Sequence, residues 1–247
     1  MKRIVSLLLF LLLGLAPALA QSQLRVLIVG DVAWDPEIGR HLSGLGAQDG
    51  MAFRIEQSDG ISPTLFALKK GAFDAIVLSR TMMEETPAAQ VRRLQHRTGA
   101  RLLLHQDLAW AVDYFKEPCI EPAFAAYGYD QQRMYDDLVE RTQALAGHRE
   151  LEVLPVETAV QNVRATFDRD NLTRDGVHLN YSIGCYLAAC TWYEALTGRD
   201  VRDNAYDPGR LFPERAALAR GACRAWWGPT PAGRPHARVR RVPSGSM

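Results

Sequence analysis

The fold of this chain is constrained most strongly by short apolar runs that alternate with segments of helical periodicity. The first run, residues 24–30, reads Leu-Arg-Val-Leu-Ile-Val-Gly, and a short β-branched run of this kind is typical of a buried parallel strand. Further runs of the same character lie at residues 52–57, 73–79, 100–105 and 151–154. Between them, apolar residues recur every three or four positions over residues 62–70, 87–97 and 129–146, which predicts helices. This order predicts an α/β fold in which helices cover both faces of one parallel sheet.

The chain after the last predicted strand is expected to be helical apart from one loop. Residues 155–167 predict a helix, residues 171–178 a loop, and residues 181–196 a strongly apolar helix. Gly198 suits the C-terminal cap of that last helix. Because ligands bind beyond the carboxyl ends of the strands in doubly wound sheets, polar residues near those ends are candidates for a site.

The N-terminus has the three parts of a secretory signal peptide. Lys2 and Arg3 precede an apolar run over residues 4–15, and Ala18-Leu19-Ala20 provides a cleavage signal of small residues. We expect cleavage after Ala20 and an exported protein, periplasmic or secreted. The apolar run is too short for a membrane anchor, so no stable membrane insertion is expected after cleavage.

Three regions follow from these patterns. Residues 1–20 are the expected signal peptide, residues 21–227 one α/β domain, and residues 228–247 a flexible basic tail with four prolines, four arginines and no acidic residue. Without Lys2 and Arg3 the chain carries 27 basic and 28 acidic residues, a balance that does not favour nucleic acid as a partner. The sequence contains neither a Gly-rich phosphate loop nor a dinucleotide fingerprint, and no cofactor is expected.

Four cysteines remain after export, and an oxidising compartment would allow disulfides among them. Cys185 and Cys190 lie five residues apart on one predicted helix, which places them on divergent faces and argues against a bond between them. The sequence does not choose among the long-range pairings with Cys119 and Cys223, and all four could also remain packed thiols.

The segment Asp175-Gly176-Val177-His178 is the strongest candidate for chemistry. An Asp three residues before a His on a loop can bond one imidazole nitrogen while the other nitrogen faces a substrate. This arrangement fixes the tautomer and stabilises the imidazolium that forms when the histidine takes up a proton. A helix-capping aspartate beside a surface histidine is the competing interpretation.

Several blocks around this segment resemble one family of enzymes. Leu172-Thr-Arg-Asp-Gly-Val-His-Leu179, with the following residues 184–198, resembles the final block of a bacterial branch of the SGNH (GDSL-like) hydrolases. Residues 73–78, 129–139 and 158–164 resemble earlier blocks of that branch in the same order. Several blocks in order are more specific than any one of them.

The resemblance implies a flavodoxin-like three-layer α/β/α sandwich, the SGNH hydrolase fold, and an ester hydrolase activity, plausible substrates being acylated carbohydrates. In that family a serine follows the Gly-Asp or Gly-Asn of the first turn, and the last block supplies Asp and His. Here Gly30 and Asp31 match the first turn, and Asp175 and His178 match the last block. The implied roles are a general base for His178, an orienting carboxylate for Asp175, and an oxyanion site in the backbone amides after Gly30.

The sequence departs from the family pattern at the nucleophile, because the position of the serine is Val32. The family's oxyanion Gly and Asn also have no clear counterpart, although Gln106 carries an amide that can donate a hydrogen bond. Three explanations compete: a pseudoenzyme that keeps the cleft, a hydrolase with a displaced nucleophile such as Ser79 or Ser43, and direct activation of water by His178 and Asp175, aided by Asp31.

Other residues near the strand ends have two interpretations each. Trp34 and Trp110 are candidates for a sugar-stacking surface, with core packing as the alternative. Asp35, followed by Pro36, fits the N-cap of a helix. His105, Asp107, His178 and Asp31 form a runner-up metal site, but the spacing matches no metal motif, and no metal is expected. We therefore expect an ester hydrolase-like protein that acts on or binds acylated carbohydrate, or alternatively a catalytically silent protein that binds cell-envelope glycans.

Overall fold

The predicted parallel sheet is confirmed in the computed structural model, which describes residues 22–61, 69–111, 121–166, 172–209 and 211–223. Five strands pair in parallel in the order β2-β1-β3-β4-β5. They are β1 (Ser22–Val29), β2 (Met51–Ser58), β3 (Ala75–Leu78), β4 (Arg101–His105) and β5 (Glu152–Leu154). This is the flavodoxin-like strand order, so the expected fold class is correct.

The helices alternate with the strands as the apolar periodicity predicts. They are α1 (Pro36–Gln48), α2 (Arg80–Glu85), α3 (Ala88–Thr98), α4 (Glu121–Ala125), α5 (Gln131–Arg149), α6 (Val156–Arg164), α7 (Ile183–Thr197) and α8 (Pro213–Cys223), with a 3-10 turn at Val201–Asp203. Gly198 ends α7 in the left-handed conformation, as expected of a C-cap glycine.

Two hydrophobic clusters cover the two faces of the sheet and make the three layers. Along β1, Val26 and Ile28 point to one cluster while Leu27 and Val29 point to the other, as the alternation of side chains along a strand requires. The first cluster covers one face of the sheet with α1, α6 and α7, and α8 packs on α6 and α7 from outside. The second cluster packs α2, α3 and α5 against the opposite face.

Helix α7 is the centre of the first cluster. Fourteen of its residues, Ile183 to Leu196, are buried, and Tyr186, Trp192 and Tyr193 are among the largest fully buried side chains. A helix that is apolar all round is buried on every side, which is why the sequence of α7 lacks a polar face. Since α7 directly follows the loop of Asp175 and His178, this rigid helix fixes one end of that loop.

Several expectations fall outside the residues that the structure describes. They concern the signal peptide at residues 1–20, all but the last two residues of the helix expected over 62–70, Cys119, and the tail at residues 228–247. Among the helices that are described, none has the length and the apolar composition to cross a membrane.

Candidate functional site

A cleft of about 400 Å³ lies at the carboxyl ends of β1, β3 and β4. Each of these strands is followed by a turn that lines the cleft, and helix α5 and the loop before α7 complete it. The lining side chains include Asp31, Val32, Trp34, Arg80, Thr81, Asp107, Trp110, Met134, Arg174 and His178. The cleft therefore occupies the edge at which parallel α/β sheets bind ligands.

His178 and Asp175 are hydrogen-bonded as the sequence predicts. The Asp175 Oδ2 atom lies 2.6 Å from His178 Nδ1, while Oδ1 accepts from the backbone N–H groups of Val177 at 3.0 Å and His178 at 2.6 Å. Burial raises the pKa of Asp175, but the hydrogen bonds from His178 and Val177 outweigh it and hold the pKa below its usual value. An ionised Asp175 leaves His178 Nε2 as the imidazole nitrogen available to a ligand.

The loop that carries this pair is closed by short-range backbone contacts. Thr173 and Leu179 form an antiparallel bridge, and the Arg174 N–H donates to the His178 carbonyl at 2.9 Å. The bridge brings the two ends of the loop together, so Asp175 and His178 lie within one short closed loop. The His178 side chain is 61% exposed, which leaves it accessible from the cleft and from solvent.

Gly184, near the start of α7, allows the loop to pack tightly. A Cβ atom at Gly184 would lie 2.3 Å from the Leu172 carbonyl oxygen, which is too close for any other residue. The Asn180 side chain accepts from the N–H groups of Ser182 and Gly184, and the Asn180 N–H donates to the same Leu172 carbonyl at 2.8 Å. The position of His178 is thus set by the junction between its loop and α7.

The first turn places Val32 where the family resemblance expects a serine. Gly30 has φ +84, and a Cβ atom there would lie 2.6 Å from Ser79 Oγ, so this position requires glycine. Val32 is 8% exposed and packs in the first cluster while lining the cleft. Asp31 is exposed at the cleft. Asp35 caps α1 through Glu37 N–H at 2.8 Å, which confirms the predicted N-cap.

The backbone amides after Gly30 are only partly available as oxyanion donors. The Val32 N–H donates to the Gly30 carbonyl at 3.0 Å and is occupied. Within the described residues, the N–H groups of Asp31 and Ala33 donate to no protein acceptor. These two groups remain as candidate donors to a ligand.

The two serines named as candidates for a displaced nucleophile both lie away from the cleft. Ser79 is buried and its Oγ accepts from the Met82 N–H at 3.3 Å, so it caps α2. Ser43 Oγ donates to the Gly39 carbonyl at 2.8 Å on α1. Neither residue lines the cleft. Across the described part of the chain, no hydroxyl group is hydrogen-bonded to His178.

Thr81 is the cleft hydroxyl that the sequence analysis missed. It lies in α2, directly after β3, and lines the cleft with an exposed side chain. Its position two residues after the end of the strand predicted over 73–79 was the available signal, because strand ends collect site residues. The preceding Arg80, which the sequence analysis also missed, carries the same signal because it directly follows the predicted strand.

Gln106, the candidate amide donor, does not line the cleft. Gln106 is buried, and its Oε1 accepts from the Thr158 N–H at 3.1 Å and from Thr158 Oγ1 at 3.0 Å. This side chain ties β4 to α6 and is absent from the cleft lining. Its role is structural in this geometry.

The runner-up metal site is not assembled. His105 is fully buried and does not line the cleft with Asp107, Asp31 and His178. Burial lowers the pKa of His105 to about 4. In the described ranges no group of three or more His, Cys, Asp or Glu side chains could hold a metal ion.

The arginines of the cleft are neutralised by carboxylates. Arg80 donates to Asp107 at 2.7 Å and also pairs with Glu84, and Arg174 pairs with Asp35 at 3.1 Å. Burial raises the pKa of Asp107, and the nearby charges of Glu84 and Asp31 add to this effect, whereas Arg80 opposes it. Because Asp31 has no ion-pair partner within the described residues, the cleft carries excess negative charge.

Both tryptophans line the cleft and pack on the core. Trp34 is half-buried with its ring 4.9 Å from that of Trp192, and Trp110 is half-buried with its ring 6.2 Å from that of Phe124. Core packing is therefore confirmed for both residues, and sugar stacking stays a prediction. Their exposed portions provide apolar walls at fixed positions.

Comparisons with known proteins identify the family. The sequence profile of DUF4886, a domain of unknown function, matches residues 75–225. A crystal structure of a DUF4886 family protein from Bacteroides uniformis is similar at a TM-score of 0.69 and 24% identity, covering 83% of this chain and 94% of that chain. At this identity the likeness supports the fold alone.

A structure from Parabacteroides merdae, described as that of a GDSL-like lipase, is similar at a TM-score of 0.47 and 12% identity, covering 72% of this chain and 97% of that chain. This likeness is too low to support an argument. No curated protein matches the chain significantly. The DUF4886 match begins at β3 and includes the Asp175 and His178 pair. The chain belongs to the DUF4886 family.

Proposed function

We propose that this protein is an exported ester hydrolase that removes acyl groups from carbohydrate and uses water as its nucleophile. The observation that carries the proposal is the 2.6 Å contact between Asp175 and His178 Nδ1 at a cleft where Val32 stands at the serine position of SGNH hydrolases. An oriented imidazole has a use in ester hydrolysis even without a serine, because it can act on water. Export rests on the signal sequence at residues 1–20.

The reaction proceeds through general base catalysis by His178. Nε2 takes a proton from water, and the hydroxide that forms attacks the ester carbonyl. Asp175 holds the proton of Nδ1 and stabilises the imidazolium. The tetrahedral intermediate then collapses, and the imidazolium returns its proton to the leaving sugar alkoxide, which yields a carboxylic acid and a free hydroxyl. The N–H groups of Asp31 and Ala33 are the candidate donors to the oxyanion.

The lining of the cleft favours an uncharged substrate. Arg80 and Arg174 are engaged by Asp107 and Asp35, so neither offers a free positive charge to a phosphate or a carboxylate. Asp31 adds a negative charge that repels anionic groups. The apolar walls of the two tryptophans suit the faces of pyranose rings. A neutral acylated saccharide matches both features better than an acidic one.

The proposal is tested by release of acetate from acetylated oligosaccharides by the mature protein. We expect His178→Ala to reduce kcat by about 100-fold or more, because general base catalysis contributes factors of this size. His148→Ala, which changes an exposed histidine on α5, is the matched control and should retain the wild-type rate. Equal rates for the wild-type protein and His178→Ala would refute the proposal.

A second candidate is a catalytically silent protein that binds cell-envelope glycans. It is favoured by Val32 and by the absence of a hydroxyl group hydrogen-bonded to His178 in the described residues. This candidate predicts that the wild-type protein releases no acetate but binds a glycan in calorimetry. Substituting Trp110 by Ala should then weaken binding, whereas His178→Ala should change it little.

A further inference from the structure

Two buried cysteines meet between α7 and α8, outside the cleft. Cys190 on α7 and Cys223 at the end of α8 are 0% and 1% exposed, and burial together with the neighbouring Cys223 raises the pKa of the Cys190 thiol. Cys223 Sγ also lies 3.4 Å from Thr191 Oγ1 and 3.8 Å from the Leu187 carbonyl oxygen. These two contacts place Cys223 over the turn of α7 that carries Cys190.

The buried face of α8 lets the two helices approach closely. This face consists of Ala216, Ala219, Ala222 and Cys223, and alanines keep helix axes close because they have little side chain to separate them. A disulfide needs Cα atoms within about 7 Å of each other, so a close approach of the backbones is its main requirement. The small residues of α8 favour such a close approach next to Cys190.

Cys185 does not share this arrangement. It lies one and a half turns earlier on α7, where its thiol contacts the Leu179 carbonyl oxygen at 4.0 Å. All three described cysteines are free thiols in this structure, but the charged groups that act on Cys185 are Asp35, Arg174 and Glu37, with no cysteine among them. The geometry thus separates the three described cysteines into one adjacent pair and one single thiol, a choice that spacing in the sequence could not make.

We propose that Cys190 and Cys223 form a disulfide in the exported protein and thereby fasten α8 to α7. The oxidant is a disulfide, either that of oxidised glutathione or the disulfide of a thiol oxidase in the compartment. One cysteine thiolate attacks it to give a mixed disulfide and releases one thiol. The second cysteine thiolate then displaces the other thiol. The protein loses two electrons and two protons, and the oxidant is reduced to two thiols.

The burial of both thiols determines when this bond forms. Burial raises the pKa of the Cys190 thiol well above its usual value, so little thiolate is present in the folded protein, and the thiolate is the nucleophile. The bond is therefore made during folding, before α8 docks on α7. This inference depends on the predicted export and is independent of the proposed hydrolase activity.

The direct test is a disulfide map of the mature chain after refolding in a mixture of reduced and oxidised glutathione. Free thiols are alkylated, and the protein is digested without reduction and analysed by mass spectrometry. We expect a peptide that links Cys190 to Cys223 and disappears on reduction. Alkylation of both residues, or their linkage to Cys119 or Cys185, would overturn the proposal.

Thermal unfolding with and without dithiothreitol provides a second test. The Tm of the wild-type protein and of the matched control Cys185→Ala should fall by several degrees on reduction, because the disulfide restricts the unfolded chain. The Tm of Cys223→Ala should not respond to the reductant. A wild-type Tm that is unchanged by reduction contradicts the proposal, and the disulfide map decides the matter if Cys223→Ala does not fold.

Discussion

At the scale of single residues, Asp175 has two tasks that one substitution separates. Oδ1 holds the loop through the N–H groups of Val177 and His178, while Oδ2 accepts from His178 Nδ1. Asp175→Asn can keep an oxygen on the backbone groups but places an amide NH₂ against Nδ1. That amide favours the tautomer with its proton on Nε2, which cannot take a proton from water.

We therefore predict that Asp175→Asn lowers kcat by about 100-fold or more, up to the loss caused by His178→Ala, because a histidine in the wrong tautomer cannot act as the general base. The Tm should change little, because the loop contacts remain. Steady-state kinetics and thermal unfolding of the same preparation measure both quantities. A wild-type kcat in this variant would show that Asp175 is only a loop cap.

Val32 offers the reverse experiment, in which a nucleophile is restored. Val32 and His178 line the same cleft, and Val32→Ser would supply a hydroxyl that an oriented histidine can activate. We predict that an alkyl fluorophosphonate labels Val32→Ser covalently, whereas the wild-type protein and the double variant Val32→Ser/His178→Ala remain unlabelled. If Val32→Ser is not labelled either, the cleft does not bring residue 32 into reach of the imidazole.

The residues that the sequence predicted correctly are those whose partners lie close in the chain. Asp175 with His178, and Asp35 with the N-terminus of α1, are contacts within three residues. Ser79, Gln106 and Thr81 depend on how different strand ends meet, and periodicity carries no information about that. Ser79 became a candidate nucleophile because the sequence does not predict the short helix α2, whose N-terminus the Ser79 side chain caps.

At the scale of secondary structure, the strands and long helices were predictable because their patterns are local. The β-branched runs and the helical spacing of apolar residues gave all five strands and the helices α3, α5, α6 and α7 close to their observed bounds. Helices α2, α4 and α8 were missed. The first two have six and five residues, too few for an apolar periodicity, and α8 has a buried face of small alanines.

The junction between α7 and the loop of Asp175 and His178 yields a prediction at this scale. Gly184→Ala would place a Cβ atom 2.3 Å from the Leu172 carbonyl oxygen, and overpacking of this kind costs about 1–3 kcal/mol. We expect the free energy of unfolding in urea to fall by that amount. The catalytic rate should fall as well, because Leu172 lies at the start of the loop that carries His178.

Gly221→Ala is the matched control, since a Cβ atom at this exposed position of α8 meets nothing within 4 Å. Replacing a helical glycine by alanine stabilises a helix by up to about 1 kcal/mol. Gly221→Ala should therefore leave the free energy of unfolding unchanged or raise it. Equal effects of the two substitutions would mean that the Leu172 contact does not position the loop.

At the scale of the whole molecule, two buried histidines link stability to pH. Burial lowers the pKa of His41 to about 4, with Arg40 adding to the effect, and burial alone lowers the pKa of His105 to about 4. Both pKa values lie below the ordinary value of 6.5. Between pH 6.5 and pH 4 the unfolded chain therefore binds protons that the folded protein does not, and the free energy of unfolding decreases as the pH falls.

We predict that each histidine reduces the free energy of unfolding by about 2 kcal/mol between pH 7 and pH 5. His105→Phe should remove the part of this decrease in the free energy of unfolding that His105 causes. Neither ring nitrogen of His105 has a hydrogen-bond partner of normal geometry in the described residues, and the Gln106 backbone, which opposes the larger effect of burial on the pKa, is kept in the variant. Urea unfolding of the wild-type protein and the variant at both pH values gives the difference. An identical pH dependence for the two proteins would contradict the assignment.

The central claim, that His178 activates water rather than a side-chain nucleophile, is tested most directly by rapid-quench mass spectrometry during turnover of an aryl acetate. We predict that acetate accumulates while the mass of the intact protein stays that of the unmodified chain, because no acyl-enzyme forms. An acetylated protein that appears and decays during turnover, with the acetyl group on Thr81 or another hydroxyl, would contradict the claim. The absence of acetate release from any ester would contradict it as well.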